Sequence, residues 1–169
     1  MQVVQGLQAS EEYRARIVEQ TYLKFLHRAS DPAGRAFWIA FLGTGGNQRF
    51  MEALFIASDE YFTMRSGGTN DGFLTALYGD VLGRSVDQQG ATVFGTALRQ
   101  GVSRLTVALA VLGSNEANNR VVPELYLRFL DRLPDPQGLT FWVTALNVGA
   151  TLEQVIQGLA GSTEYFNKL

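Results

Sequence analysis

Three arginine–aspartate pairs, Arg28/Asp31, Arg84/Asp87 and Arg132/Asp135, are the residues whose types and spacing come nearest to chemistry. An aspartate held beside an arginine in a turn could ligate calcium or accept a bond from a sugar hydroxyl. It could equally cap a helix while the arginine pairs with it across the turn. Calcium takes six to eight oxygens and each turn offers one carboxylate, so the capping role is expected. Trp38 and Trp142 could stack on sugar rings, but their helical spacing from glycine and leucine places them in a core. A paired-carboxylate hydrolase could be assembled from Asp59, Glu60, Asp71 and Asp80. Nothing in their spacing separates them from solvated helix faces, and no enzyme is expected. Gly45-Gly46 and Gly67-Gly68 lack the pattern of a phosphate-binding loop and read as turns.

Composition narrows the field further. The 169 residues carry a net charge of −2 and no cysteine, and His27 is the single histidine. Disulfides, thiolate metal sites, Cys nucleophiles and multi-histidine metal sites are therefore excluded. Without a basic patch, nucleic acid is not an expected partner. Every apolar stretch is interrupted within a few residues by charge, Gly or Gln, so no membrane span is expected. Residues 1–10 lack the basic start and apolar run of a secretory leader.

The elements that position these residues emerge when the sequence is compared with itself. Tyr22, Leu26, Arg28, Asp31, Pro32, Gly34, Trp38 and Leu42 recur at the same offsets as Tyr126, Leu130, Arg132, Asp135, Pro136, Gly138, Trp142 and Leu146. Tyr78, Leu82, Arg84, Asp87, Gly90, Phe94 and Leu98 form a degenerate middle copy. Ser58, Ser114 and Ser162 each stand twenty residues after the aromatic, followed at the second position by Glu60, Glu116 and Glu164. Copies two and three are 48 residues apart and copies one and two 56, which places eight extra residues at 63–70, a Gly/Ser/Asn-rich loop.

Each copy predicts three helices. The first carries aromatic and leucine residues at helical spacing and ends near the arginine. The second starts with Asp as N-cap, with Pro at the first helical position in two copies. Glycine one turn inside a helix costs about 1 kcal/mol against alanine, so Gly34, Gly90 and Gly138 imply close approach of a neighbouring helix. The third helix is apolar, over Phe50–Ala57, Leu105–Leu112 and Leu152–Leu159. A serine then caps the next helix, and the glutamate in its first turn suits the helix dipole. His27 occupies the position of Gly83 and Asp131, so it is expected to be a surface residue outside the repeat pattern.

Residues 3–13 match 155–165 at seven of eleven positions, so the chain opens inside a repeat. This reads either as an excision from a longer array or as a half-repeat end cap. The expected fold is all-α: three diverged three-helix repeats plus an N-terminal partial repeat, packed as one compact helical domain or a short array. The segments are 1–20, the partial repeat and connecting helix; 21–69, repeat 1; 70–120, repeat 2; and 121–169, repeat 3.

The string Tyr-x-x-Leu-x-Arg-x-x-Asp-Pro-x-Gly-x-x-x-Trp, followed by an apolar helix and Ser-x-Glu-Tyr, resembles the bacterial domain family DUF4214. The resemblance is strong over 22–62 and 126–166 and weaker over 78–117. It brings no catalytic residues. It implies a secreted or cell-surface protein, in company with calcium-binding repeats or carbohydrate-active domains, and a likeness to the helical linker domains of phycobilisomes. The chain itself shows no Gly-rich calcium nonapeptide. The expected function is a non-enzymatic recognition module for glycan or surface polymer, with Tyr13, Tyr61 and Tyr165 beyond the serine caps as candidate ligand-binding residues. The alternative is a scaffold making protein–protein contacts, including self-association. No cofactor is expected, and only the family's company with calcium-binding repeats leaves calcium open.

Overall fold

The computed structural model describes residues 10–167, which are helical with no strand among them. The self-match over 3–9 lies outside the described residues. Two compact units divide the chain, one of Arg14–Leu112 and one containing Tyr13 and residues from Gly113 onward.

The first unit takes α1 (Glu11–Thr21) from Arg14 on, and this helix runs on through a π-helical turn, Tyr22–Leu26. α2 (Pro32–Gly43) and α3 (Gln48–Ala57) complete repeat 1, and a second π-helical turn, Tyr61–Arg65, follows. Repeat 2 supplies α4 (Asn70–Leu82), α5 (Gln88–Arg99) and α6 (Arg104–Leu112). Its main helix pairing sets α3 on α6, the third helices of the two copies. Met51, Ala53, Phe55 and Ile56 from one side and Val107, Ala108, Val111 and Leu112 from the other are buried. Arg49 reaches across to donate to the carbonyl of Leu112 at 2.6 Å, satisfying one of the orphan carbonyls at the end of α6.

The second unit is repeat 3: α7 (Asn115–Leu130), α8 (Pro136–Asn147), α9 (Leu152–Ala160) and α10 (Thr163–Phe166). Its core gathers Val122, Leu125, Tyr126 and Phe129 of α7 with Val143 and Leu146 of α8 and Leu152, Val155, Ile156 and Leu159 of α9.

All three second helices start where the sequence places them. The Asp31, Asp87 and Asp135 carboxylates each accept from the N–H of the glycine three residues on, at 2.8 Å. Each serine also caps as expected: Ser10, Ser58, Ser114 and Ser162 accept from the N–H of Tyr13, Tyr61, Ala117 and Tyr165 at 3.1–3.2 Å.

Two local expectations need correction. The segment 63–70 is not all loop, because the helix begun at Ser58 continues through Tyr61–Arg65 before Gly67 and Gly68 turn it with φ of 61° and 71°. Between Ser114 and Leu130 the same stretch is one unbroken helix, so the insertion cuts one helix into two. His27 does belong to the repeat pattern. It, Gly83 and Asp131 are the left-handed C-caps of the first helices, with φ of 54°, 66° and 52°. The repeated feature is a backbone conformation, which residue type conceals.

Candidate functional site

The first helix of each repeat delivers a tyrosine to the core and an arginine just past the left-handed cap. Tyr22, Tyr78 and Tyr126 are buried, and the guanidinium of Arg28, Arg84 or Arg132 lies over the ring of its own repeat's tyrosine, at 4.9, 5.1 and 5.3 Å from the centroid. This cation–π contact holds the arginine flat against the turn. A second bond tightens it, since each arginine donates to the carbonyl of the next residue, Ala29, Ser85 or Leu133.

The strongest partner of the arginine in two repeats is a carboxylate 32 residues away. Arg28 forms a two-pronged pair with Glu60 at 2.5 and 2.8 Å. Arg132 does the same with Glu164, its Nη2 at 2.7 Å from Oε2 and its Nε also bonded. The bond from arginine holds each glutamate carboxyl below its ordinary range. These glutamates are the ones expected merely to sit in a first turn. They tie the start of the helix after the third back to the end of the first. The arginine–aspartate contact is secondary in repeat 1, at 3.7 Å, and direct in repeat 2, at 2.8 Å. Asp31, Asp87 and Asp135 are also held below the ordinary carboxylate range, first by the capped glycine N–H.

The reason for the repeated glycine is closer to hand than an approaching helix. A Cβ at Gly34, Gly90 or Gly138 would fall 2.1, 2.2 or 2.5 Å from the hydroxyl of Tyr22, Tyr78 or Tyr126. The glycine is the socket for the tyrosine twelve residues before it. Burial pushes the Tyr22 and Tyr126 hydroxyls above their ordinary values, while a bond with the side chain of Trp38 or Trp142 pulls the other way. Phe94 has no N–H to offer, which marks the middle copy as degenerate in chemistry as well as in sequence.

The tryptophans stand at the core edge. Trp38 packs on Phe55 with centroids 5.1 Å apart. Trp142 covers Gly158, where a Cβ would lie 2.3 Å from the indole. In this ring of tyrosine, glycine, tryptophan, arginine, glutamate and aspartate, the bonds described above each join one part of the fold to another.

The three candidate ligand-binding tyrosines share the position after a serine cap but form no common surface. Tyr61 is 0% exposed and donates to Asp80 at 2.8 Å. Burial and the Asp80 charge drive its hydroxyl far above its ordinary value, and Arg65 closes the cluster on Asp80 at 3.0 Å. Tyr61 thus presents no ring face to a sugar, and its candidacy is withdrawn. Tyr13 and Tyr165 are half-buried and packed against the core of the second unit, Tyr165 beside Phe129. Among the described residues no three His, Cys, Asp or Glu side chains gather to hold a metal ion. No helix among them is long and apolar enough to cross a membrane.

Sequence reasoning missed a different recurrent feature. The residue before each core aromatic is exposed: Phe37 at 62%, Val93 at 55% and Phe141 at 63%. Phe37 and Phe141 stand edge-on to Trp38 and Trp142, with centroids 5.0 and 4.9 Å apart. The signal was present, since apolar residues at these positions fall off the inward stripe of Gly, Trp and Leu. A polar feature specific to one copy is an asparagine chain. Buried Asn118 donates to Asn147 at 2.7 Å, and Asn147 to Asn115 at 2.8 Å, tying the end of α8 to the start of α7.

No curated protein and no solved structure matches the chain. The sequence model of the domain of unknown function DUF4214 matches it twice, over residues 51–121 and 117–169. The first match runs from the third helix of repeat 1 through the whole of repeat 2 into α7, and the second runs from α7 through the rest of repeat 3. The chain belongs to the DUF4214 family.

Proposed function

We propose that this chain is a non-catalytic assembly module that holds other protein surfaces through the outer faces of its Asp-started helices. The observation that carries this reading is the recurrence of an exposed apolar residue at one repeat position, Phe37, Val93 and Phe141. Phe37 and Phe141 touch the edge of the neighbouring indole yet stay more than 60% exposed, and exposed apolar surface marks interaction sites. A non-catalytic role is supported by the carboxylates whose acidity is raised. Each of them caps a helix, pairs with arginine or does both.

Recognition of glycan or surface polymer is the second reading. With Tyr61 buried, it moves to Phe37 and Phe141, whose exposed rings beside an indole could stack on sugar C–H groups. Secretion or surface display belongs to the same proposal, as does any contribution of calcium, and both rest on the family resemblance.

The experiment places a photoreactive benzophenone residue at Phe37, Val93 or Phe141 in the cells that make the protein, with Gln89 as the control. Discrete protein adducts at the three apolar positions, absent at the control, support assembly. No protein adduct at any of them, together with retardation in a polysaccharide affinity gel that Phe37→Ser and Phe141→Ser abolish, overturns assembly in favour of glycan.

A further inference from the structure

The asparagine chain that ties the end of α8 to the start of α7 leaves one atom over. Asn118 donates through Nδ2 to Asn147, and Asn147 donates to Asn115. Asn118 is fully buried, and no donor among the described residues reaches its Oδ1. Turning the three amides over does not remove the difficulty. Amide nitrogen and oxygen occupy interchangeable places, so both bonds reverse, and Asn118 Nδ2 then lacks an acceptor. Either way, one atom of a fully buried amide has no protein partner. In a dry interior such an atom carries its whole desolvation cost.

The burial of Asn118 also runs against the other copies. Phe62 and Phe166 stand four residues after Ser58 and Ser162, where Asn118 stands after Ser114. Phe62 is half-buried and Phe166 is 42% exposed. Two copies thus keep an aromatic ring towards the surface, and the third takes a polar amide fully inside. Hydrophobic burial does not account for that exchange, so the amide is inside for the bonds it makes.

We propose that Asn118 holds one internal water molecule, bonded to the amide atom that the asparagine chain leaves over. The site's chemistry selects water. Its ligand must donate to Oδ1 in one arrangement of the chain and accept from Nδ2 in the other, and water does both. A bare cation serves only the first arrangement, and an anion only the second. The ligand must also be small, because Asn118 has no exposed surface for a larger molecule to reach. Asn115 and Asn147 are themselves exposed, so hydrogen-bonding groups lead from solvent to the buried amide. Internal waters typically occupy such places, bonded to polar groups that the fold leaves unmatched. The water keeps the amide fully paired while its other end anchors α8.

High-resolution crystal structures of the full chain and of Asn118→Leu test this. Leucine keeps the branched shape of asparagine without either polar atom. The expected result is an ordered water within about 3.2 Å of the Asn118 amide, and its loss in the variant. Water contacts measured by NMR on the unaltered chain are the second test, and they stand even if Asn118→Leu does not fold. The side-chain amide protons of Asn118 should give NOE and ROE contacts of opposite sign to water, the mark of a molecule held inside. Those of exposed Asn115 should not. Absence of the water from the crystals, absence of opposite-sign contacts at Asn118, or a water that persists in Asn118→Leu overturns the proposal.

Discussion

Replacing Gly138 with alanine separates a socket from an ordinary helical glycine. In an unobstructed helix interior, Gly→Ala stabilises by about 1 kcal/mol through helix propensity and the smaller entropy of the unfolded chain. At Gly138 the new methyl would sit 2.5 Å from the Tyr126 hydroxyl, 3.4 Å from the ring carbon that bears it and 3.6 Å from Asp135. Only the hydroxyl is too close. The ring is buried in the α7–α9 core and cannot withdraw without disturbing it, so the overlap should cost about 2–3 kcal/mol and leave a net loss of about 1–2 kcal/mol. In a Tyr126→Phe background the overlap disappears. Gly138→Ala should then stabilise, giving a coupling energy of about 2–3 kcal/mol in the double-mutant cycle. Gly90 provides the internal control. There the methyl would also lie 2.8 Å from the Tyr78 ring carbon and 3.2 Å from its neighbour, so Tyr78→Phe should not rescue Gly90→Ala. Urea unfolding followed by tryptophan fluorescence is the assay. The chain has two tryptophans, one in each unit, so Trp38→Phe leaves Trp142 reporting on the second unit alone. Gly138→Ala that stabilises the otherwise unaltered chain, or a coupling below about 0.5 kcal/mol, would refute the socket.

Other outcomes follow from the same geometry. His27→Gly should raise stability by about 1 kcal/mol in urea titrations, because His27 holds a left-handed conformation that glycine takes in the matching cap at Gly83. Tyr61→Phe should cost about 1–2 kcal/mol in the same titration, since it removes the hydroxyl that donates to half-buried Asp80. Acid should weaken the fold. Glu60, Glu164, Asp31, Asp87 and Asp135 all have carboxyl groups more acidic folded than unfolded. The stability they contribute is present above the ordinary carboxylate range and lost as pH falls through their lowered values. The urea midpoint should therefore drop between about pH 5 and pH 3, and the drop should be shallower in a Glu60→Gln, Glu164→Gln double variant.

Much of the fold was legible because its punctuation is local. Asp31-Pro32 and Asp135-Pro136 mark helix starts through interactions that reach only three residues, and the serine caps behave alike. Legibility failed where a residue acts at long range or through its backbone. Glu60 and Glu164 looked like first-turn acids because their true partners lie 32 residues earlier. An invariant spacing from arginine to glutamate in all three copies was the available clue. Gly34, Gly90 and Gly138 were rightly suspected of close contact, but the intruder is a hydroxyl twelve residues back. His27 hid among unlike residues because the shared property is φ. Tyr61 was misjudged because the pattern of Ser-x-Glu-Tyr says where the ring starts, not that the inserted turn folds it inward onto Asp80. The exposed Phe37 and Phe141 stand beside the tryptophans and were overlooked in their favour.

The central claim divides two adjacent aromatics, Phe141 and Trp142: the recurrent motif residue holds the fold, and its neighbour is left free to engage a partner. The most direct test is urea unfolding of Trp142→Ala beside Phe141→Ala, followed by circular dichroism so that loss of the fluorophore does not matter. Trp142→Ala should destabilise the second unit by about 2–4 kcal/mol, and Phe141→Ala should leave it within about 0.5 kcal/mol. Equal losses, or a larger one at Phe141, would contradict the account and make the exposed ring part of the core.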